Sequence, residues 1–174
     1  MGKLGREALA TYIDTGFNAV VDKAGEASWE LLGTDIEEMS VELNSDTETR
    51  KNILGQTKTQ DNGYEASMDA DPFYADPESV LYTKLRDIAL NRLKGSACKT
   101  LMLEVIIEDP KATVHSAWVR EVMVKPQSYG GGTEGLNIPF SVSEDGAFIA
   151  GTVTAESLKA KTPVFTPDGE SLSN

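Results

Sequence analysis

The sequence predicts a mainly β fold with mostly antiparallel strands and a single α-helix. About seven or eight segments alternate apolar and polar residues or are rich in β-branched residues, as strands are. Short separators containing Gly, Asp, Thr or Pro stand between these segments, and only one segment has helical spacing. At 174 residues the chain is long enough to bury the core of one domain.

The composition excludes several classes of function. The chain has 16 basic and 28 acidic residues, a formal net charge of −12, which disfavours binding to nucleic-acid phosphates and to anionic membranes. A single cysteine, Cys98, permits no intramolecular disulfide, so a reducing cytoplasm is the simplest expectation. The first residues lack the apolar core of a signal peptide, and no stretch is long and apolar enough to span a membrane.

The first half of the chain contains four expected strands and one long polar passage. The strands are FNAVVD (17–22), ASWELLG (27–33), IEEMSVEL (36–43) and YEASMDAD (64–71). In the last two, alternate side chains are expected to face the core. These side chains are Met39, Val41, Leu43, Tyr64, Ala66 and Met68. The passage at 44–62 has few apolar residues and predicts a protruding loop or hairpin.

One helix is predicted at 77–94. Asp76 is a suitable N-cap, Pro77 suits the first helical position, and Gly95 can end the helix. An apolar stripe at helical spacing predicts that one face lies on the sheet. The stripe consists of Leu81, Leu85, Ile88, Ala89 and Leu93.

Long strands are expected after the helix. CKTLMLEVIIED (98–109) has the apolar, β-branched composition of a central strand, and TVHSAWVREVMVKP (113–126) ends at a proline. The segment LNIPFSVSEDGAFIAGTVTA (136–155) predicts two strands folded over an Asp145-Gly146 turn. Ile149 and Val153 are expected to face the core, leaving Thr152 and Thr154 on the opposite face.

The residues predict no catalytic site, metal site or cofactor. His115, the only histidine, lies on an expected strand, and Cys98 opens an apolar strand, where a buried thiol is inert. GGGTEG (130–135) precedes no helix and predicts a loop, not a phosphate site. One acidic group could offer oxygen ligands to Ca²⁺ but lacks EF-hand spacing: Asp69, Asp71 and Asp76.

The order of several segments resembles the tail tube proteins of long-tailed bacteriophages, over roughly residues 13–155. These segments are WELLGTDIEEMSVELNSDTETRKNILGQ, DPFYADPESVLYTKLRDIALNRL, AWVREVMV, a Gly-rich loop and IPFSVSEDGAFIAGTV. The resemblance implies a β-sandwich or rolled β-barrel flanked by one helix, a fold shared by type VI secretion and contractile-tail tube proteins. It further implies hexameric rings stacked into a tube.

The resemblance also implies a division of the chain and a set of partners. A tail-tube domain would span 17–155, between an N-terminal arm at 1–16 and a C-terminal arm at 156–174. Tape-measure, tail terminator and distal tail proteins would be partners. DNA would pass through the lumen without specific binding, and the chain would be assembled in the bacterial cytoplasm into a virion tail.

Within that tube, the strand pleat selects lumen-facing side chains, because residues that alternate with the core face the other way. The lumen candidates are Glu38, Ser40, Glu42, Glu65, Ser67, Asp69, Thr152 and Thr154. The excess of acidic residues suits a DNA conduit, since DNA does not adhere to an acidic wall. The candidates for contact between rings lie in the polar passage: Arg50, Lys51, Ile53 and Leu54.

Two other functions fit the same residues. The chain could be the tube protein of a secretion system or of a phage-derived bacteriocin. It could also be a β-barrel enzyme or small-ligand binder that uses a carboxylate such as Glu104 or Glu121 in a deep pocket.

Overall fold

The predicted mainly β, antiparallel fold is confirmed by a computed structural model that describes residues 2–17, 20–33, 36, 38–168 and 172–173. The described residues form eleven strands and two α-helices, α1 (Val80–Leu90) and α2 (Ala155–Lys159). The strands are β1 (Leu9–Asp14), β2 (Trp29–Leu31), β3 (Val41–Glu42), β4 (Ser45–Lys51), β5 (Thr57–Tyr64), β6 (Ser67–Ala70), β7 (Lys99–Ile106), β8 (Val114–Pro126), β9 (Phe140–Thr154), β10 (Phe165–Pro167) and β11 (Leu172–Ser173).

Nine strands form one sheet and the other two form a separate hairpin. The main path runs β2-β1-β7-β8-β9-β6-β3, with β10 and β11 also paired to β9. All the described pairings are antiparallel. Both predicted arms contribute strands to the sheet, since β1 lies within 1–16 and β10 and β11 lie within 156–174.

The sheet buries apolar side chains on both of its faces. Along β7, Leu101 and Leu103 belong to one apolar cluster and Met102 belongs to another, as the two-residue period of a strand requires. The first cluster is covered by the 3₁₀ turn Val21–Glu26 and by β10, and the second by α1. The central strands are thus buried on both faces.

Helix α1 is shorter than predicted and is capped by different residues. Asp76 accepts a hydrogen bond from the backbone N–H of Glu78 in a preceding turn, and Ser79 caps the helix instead, accepting from the N–H of Tyr82 at 3.1 Å. Arg92, with φ of +52°, ends the helix in place of Gly95. Its neighbour Leu93 donates its N–H to the Ile88 carbonyl at 3.0 Å, which closes a Schellman motif.

The apolar stripe of α1 is confirmed in its central part. Leu81, Leu85 and Ile88 are buried, and Ala89 packs partly buried against the cluster beneath the helix. Leu93 is 38% exposed because it lies beyond the end of the helix.

The predicted turn at Asp145-Gly146 is wrong, because both residues lie inside the single long strand β9. In the pairing with β8, Arg120 faces Phe148 and Val122 faces Glu144, so β9 carries extra residues between these two pairs. An Asp-Gly pair suits a β-bulge as well as a turn, since Gly146 has a φ of +126°. The bulge lets β9 bend and continue along β8.

The strand predicted at 17–22 is also wrong for the described residues of that range. Val21 begins a 3₁₀ turn and Phe17 has a φ of +50°, which is incompatible with a continuous strand. Residues 18 and 19 lie outside the described residues. The strand expected at 27–33 is present as the shorter β2.

The strands expected at 36–43 and 64–71 are shorter than predicted, and two of their side chains face solvent. Met39, Ala66 and Met68 are buried and Val41 is partly buried, as predicted. Leu43 and Tyr64 are 56% and 64% exposed because the chain leaves the sheet there to enter the β4–β5 hairpin. Asn44, with φ of +47°, makes that departure, and residue 37 lies outside the described residues.

Candidate assembly surfaces

The β4–β5 hairpin projects from the body of the protein. Every residue of β4 is exposed, and within β5 only Gly63 is partly covered. Seven cross-strand pairs hold the hairpin together, with a register shift at Asp46 and Thr47. At its base, the Asn44 side-chain amide donates to the Glu65 carbonyl at 2.9 Å. The polar passage at 44–62 is therefore a hairpin, one of the two forms predicted for it.

The tip of the hairpin has a defined shape and carries exposed apolar side chains. The Asn52 Oδ1 atom accepts from the backbone N–H groups of Leu54 and Gln56, at 3.0 and 2.9 Å. This turn directs Ile53 and Leu54 outward, where they are 103% and 77% exposed. Two large apolar side chains exposed to water at the end of a polar hairpin make the tip a candidate contact surface.

The tip is also basic, although the chain as a whole is acidic. Arg50, Lys51 and Lys58 flank the turn, and all three are exposed. Arg50 forms an ion pair with Glu48 at 2.9 Å, and both side chains are largely exposed. Residues 50–58 contain no acid, so the tip presents positive charge around an apolar centre.

A groove of about 270 Å³ lies between the edge strand β2 and the segment that leads into α1. Its apolar lining includes Leu31, Ile36 and Phe73, and its acidic lining consists of Glu30, Asp76 and Glu78. The Ser79 hydroxyl donates to Glu30 Oε2 at 2.8 Å, which joins the two sides of the groove. Sequence patterns do not identify this groove because its two sides are about forty residues apart in the chain.

A charged cluster lies on the sheet near the base of the hairpin. Arg120 is 3.1 Å from Glu104 and 3.5 Å from Glu144, and its guanidinium lies 5.0 Å from the centre of the Phe148 ring. Burial raises the pKa of Glu144, the Arg120 charge opposes that rise, and the Glu104 charge adds to it. The cluster joins three neighbouring strands, β7, β8 and β9, through charged side chains.

The lumen candidates are mostly exposed. Ser67 and Thr152 are partly buried, and the others face solvent: Glu38, Ser40, Glu42, Glu65, Asp69 and Thr154. Ile149 and Val153, expected to face the core, are indeed buried. Whether the candidates line a channel stays a prediction.

The sheet separates these candidates into two sets. Asp69 alternates with Met68 and Ala70, which belong to the cluster beneath α1, so Asp69 points to the other face. Thr152 alternates with Val153, which belongs to the opposite cluster. The strand residues Glu42, Ser67 and Asp69 therefore lie on one face, and Thr152 and Thr154 on the other.

The residues considered for catalysis have structural surroundings. Glu121 accepts from the backbone N–H groups of Val21 and Ala147, at 3.4 and 3.3 Å, and Glu104 is paired with Arg120. His115 is buried, and so is Cys98. The carboxylates of the rival enzyme hypothesis thus hold neighbouring elements together.

Within the described part of the chain, no group of three or more His, Cys, Asp or Glu side chains is arranged to hold a metal ion. No helix formed by those residues has the length and apolar character needed to cross a membrane.

Comparison with known proteins identifies a shared fold. No protein-family model matches the chain, and no curated protein matches its sequence. Among solved structures, the sheath/tube terminator of an extracellular contractile injection system (PVC, extended state) is 10% identical, with a TM-score of 0.50 over 87% of this chain and 97% of that chain. The tube terminating cap of the anti-feeding prophage (AFP) is also 10% identical, with a TM-score of 0.50 over 89% and 93%.

Proposed function

We propose that this chain is a structural, ring-forming subunit of a phage-tail-like tube. The observation that carries the proposal is the projecting β4–β5 hairpin, whose ordered tip exposes Ile53 and Leu54 with no apolar partner among its own strands. A single subunit gains nothing from that exposure, whereas a stacked neighbour would bury both side chains. The fold shared with two components of contractile injection systems supports the same role.

In the proposed assembly, six copies form a ring and the rings stack into a tube. The outer strands of the main sheet path, β2 and β3, are short and each is paired on one side along that path, so they offer edges for neighbouring subunits. A head-to-tail contact that closes gives the ring, and a second contact along the axis gives the tube. Helix α1 lies on the outside.

The lumen is assigned to the acidic set around Glu42 and Asp69. Both side chains are exposed and share one face of the sheet, and repetition around a ring would turn each into a ring of negative charge. DNA would pass without adhering. Tape-measure and distal tail proteins would be partners, and the particle would be a virion tail or a related extracellular particle.

A second candidate is the protein that terminates such a tube. It is favoured by the two solved structures, which are described as a terminator and a cap. A wall subunit adds further copies of itself, whereas a terminator stops at a ring. The length of the particles formed by the purified chain separates the two, and a neighbouring tape-measure or sheath gene separates virion, secretion and bacteriocin tubes.

The test is assembly of the purified chain, followed by negative-stain electron microscopy. The wild-type chain is expected to form rings and tubes, while a variant lacking residues 46–60 should stop at rings or smaller species. Ile53→Asp combined with Leu54→Asp should act like the deletion without unfolding the subunit, because both side chains are exposed. Tubes of normal length from either variant would refute the role of the hairpin.

A further inference from the structure

The groove between β2 and the start of α1 has the character of a receptor for a peptide segment. Leu31 is 48% exposed within it, and Ile36 and Phe73 are partly covered. Its volume of about 270 Å³ is just below the range of roughly 300–1,000 Å³ that is typical of small-molecule sites. One or two aliphatic side chains would suit a space of this size.

The groove also has a strongly acidic rim. Glu30, Asp76 and Glu78 line it, and none of the described residues that line it is a lysine or arginine. Glu30 is held in place by the Ser79 hydroxyl, while Asp76 and Glu78 are exposed to solvent. An occupant that suits the groove therefore combines apolar side chains with positive charge.

The chain itself contains such a segment, the tip of the β4–β5 hairpin. There Ile53 and Leu54 are surrounded by Arg50, Lys51 and Lys58, and no acid interrupts residues 50–58. The apolar centre and basic surroundings of the tip match the apolar centre and acidic rim of the groove. Complementary charge of this kind fixes orientation and speeds encounter between partners.

The two surfaces are connected to opposite ends of one strand. The hairpin leads into the start of β6 at Ser67, and the groove residues Phe73, Asp76 and Glu78 follow its end at Ala70. A contact between the tip of one copy and the groove of the next is therefore heterologous, joining two different surfaces. Contacts of this type propagate from copy to copy when they do not close.

We propose that this groove receives the hairpin tip of a second copy of the chain. Ile53 and Leu54 enter the apolar part, and the basic side chains around them face Glu30, Asp76 and Glu78. The inference rests on the proposed stacking function and adds the surface that the hairpin contacts. Each subunit then supplies its hairpin tip to one axial neighbour and its groove to the other.

The first test is disulfide cross-linking between copies of the full-length chain. A variant carrying Ile53→Cys and Leu31→Cys should give a ladder of cross-linked multimers when assembled and oxidised. The matched control carries Ile53→Cys with Val114→Cys, since Val114 is 47% exposed but lies outside the groove. A ladder from the control but not from the groove variant would place the tip elsewhere and overturn the proposal.

The second test exchanges charges across the proposed contact. Lys51→Glu should raise the concentration needed for assembly by roughly tenfold, because like charges then face each other. Adding Glu78→Lys to that variant should restore most of the loss. Adding Glu108→Lys, which makes the same change of charge at an exposed site outside the groove, should not restore it.

The outcomes distinguish this inference from the proposed function. If the wild-type chain stacks into tubes but neither cross-linking nor the paired exchange is specific to the groove, the tip contacts another surface and the inference is wrong while stacking stands. If the wild-type chain forms no higher assembly, both the proposed function and this inference are refuted.

Discussion

Truncating Leu85 in the middle of α1 tests the packing of the helix on the sheet. The side chain is fully buried in the cluster that includes Val122 and Val124 of β8. Leu85→Ala removes three carbon atoms, which at about 0.8 kcal/mol for each buried methylene amounts to roughly 2.4 kcal/mol. The cavity left behind adds to this, so the expected loss in free energy of unfolding is about 2–5 kcal/mol.

The loss should be measured by urea unfolding of an assembly-deficient subunit, because self-association would add to the apparent stability. The Ile53→Asp, Leu54→Asp background serves this purpose. The control is Leu90→Ala in the same helix, where the side chain is 54% exposed and the expected change is within about 0.5 kcal/mol. Equal and small losses for Leu85→Ala and Leu90→Ala would refute the assigned packing.

Three further predictions concern the bulge in β9, the charged cluster around Arg120, and the exposed acidic side chains Glu42 and Asp69. Gly146→Ala should lower the free energy of unfolding by at least about 1 kcal/mol, because φ is +126° and the new Cβ would meet the facing glutamate of β8. The control is Gly132→Ala, which has open space around it. Equal denaturation midpoints for the two variants would contradict the bulge. Burial raises the pKa of Glu144, so its contribution to stability is present at low pH and is lost as the pH rises through the raised pKa. Glu144→Gln should therefore raise the melting temperature at pH 7 and lose that gain near pH 4, and an unchanged or lowered melting temperature at pH 7 would count against this reasoning. Glu42→Lys with Asp69→Lys should leave tube assembly intact but slow DNA passage in a salt-dependent manner, and a block in ring formation would instead indicate a contact between subunits.

The sequence predicts the strands β7 and β8 and the buried face of α1 well. The apolar and β-branched composition of the two strands is a local signal, and so is the helical spacing of Leu81, Leu85 and Ile88. Their burial follows from the same periodicity. Predicting these elements requires no information about which strands are neighbours in the sheet.

The failures arise where tertiary contacts decide between two local options. An Asp-Gly pair favours a tight turn in isolation, but the register of β9 against β8 turns Asp145 and Gly146 into a bulge. Likewise, the alternation through Leu43 is interrupted at Asn44, whose positive φ starts the projecting hairpin. Nothing in the local pattern marks where a strand leaves the sheet.

The candidate surfaces differ in how far the sequence points to them. The sequence singles out the residues at the hairpin tip because Ile53 and Leu54 are unusual in a polar passage, and their contact role stays a prediction. The acidic groove was missed because Glu30 and Asp76 come together only through the fold. The pleat predicted exposed side chains correctly in most cases, but it could not show that Asp69 and Thr152 lie on opposite faces.

The most direct test of stacking is a cryo-electron microscopy reconstruction of particles assembled from the wild-type chain. The account predicts stacked rings in which each β4–β5 hairpin crosses to the adjacent ring and buries Ile53 and Leu54 against it. A reconstruction in which the hairpins remain within their own ring and these two side chains face solvent would contradict the account.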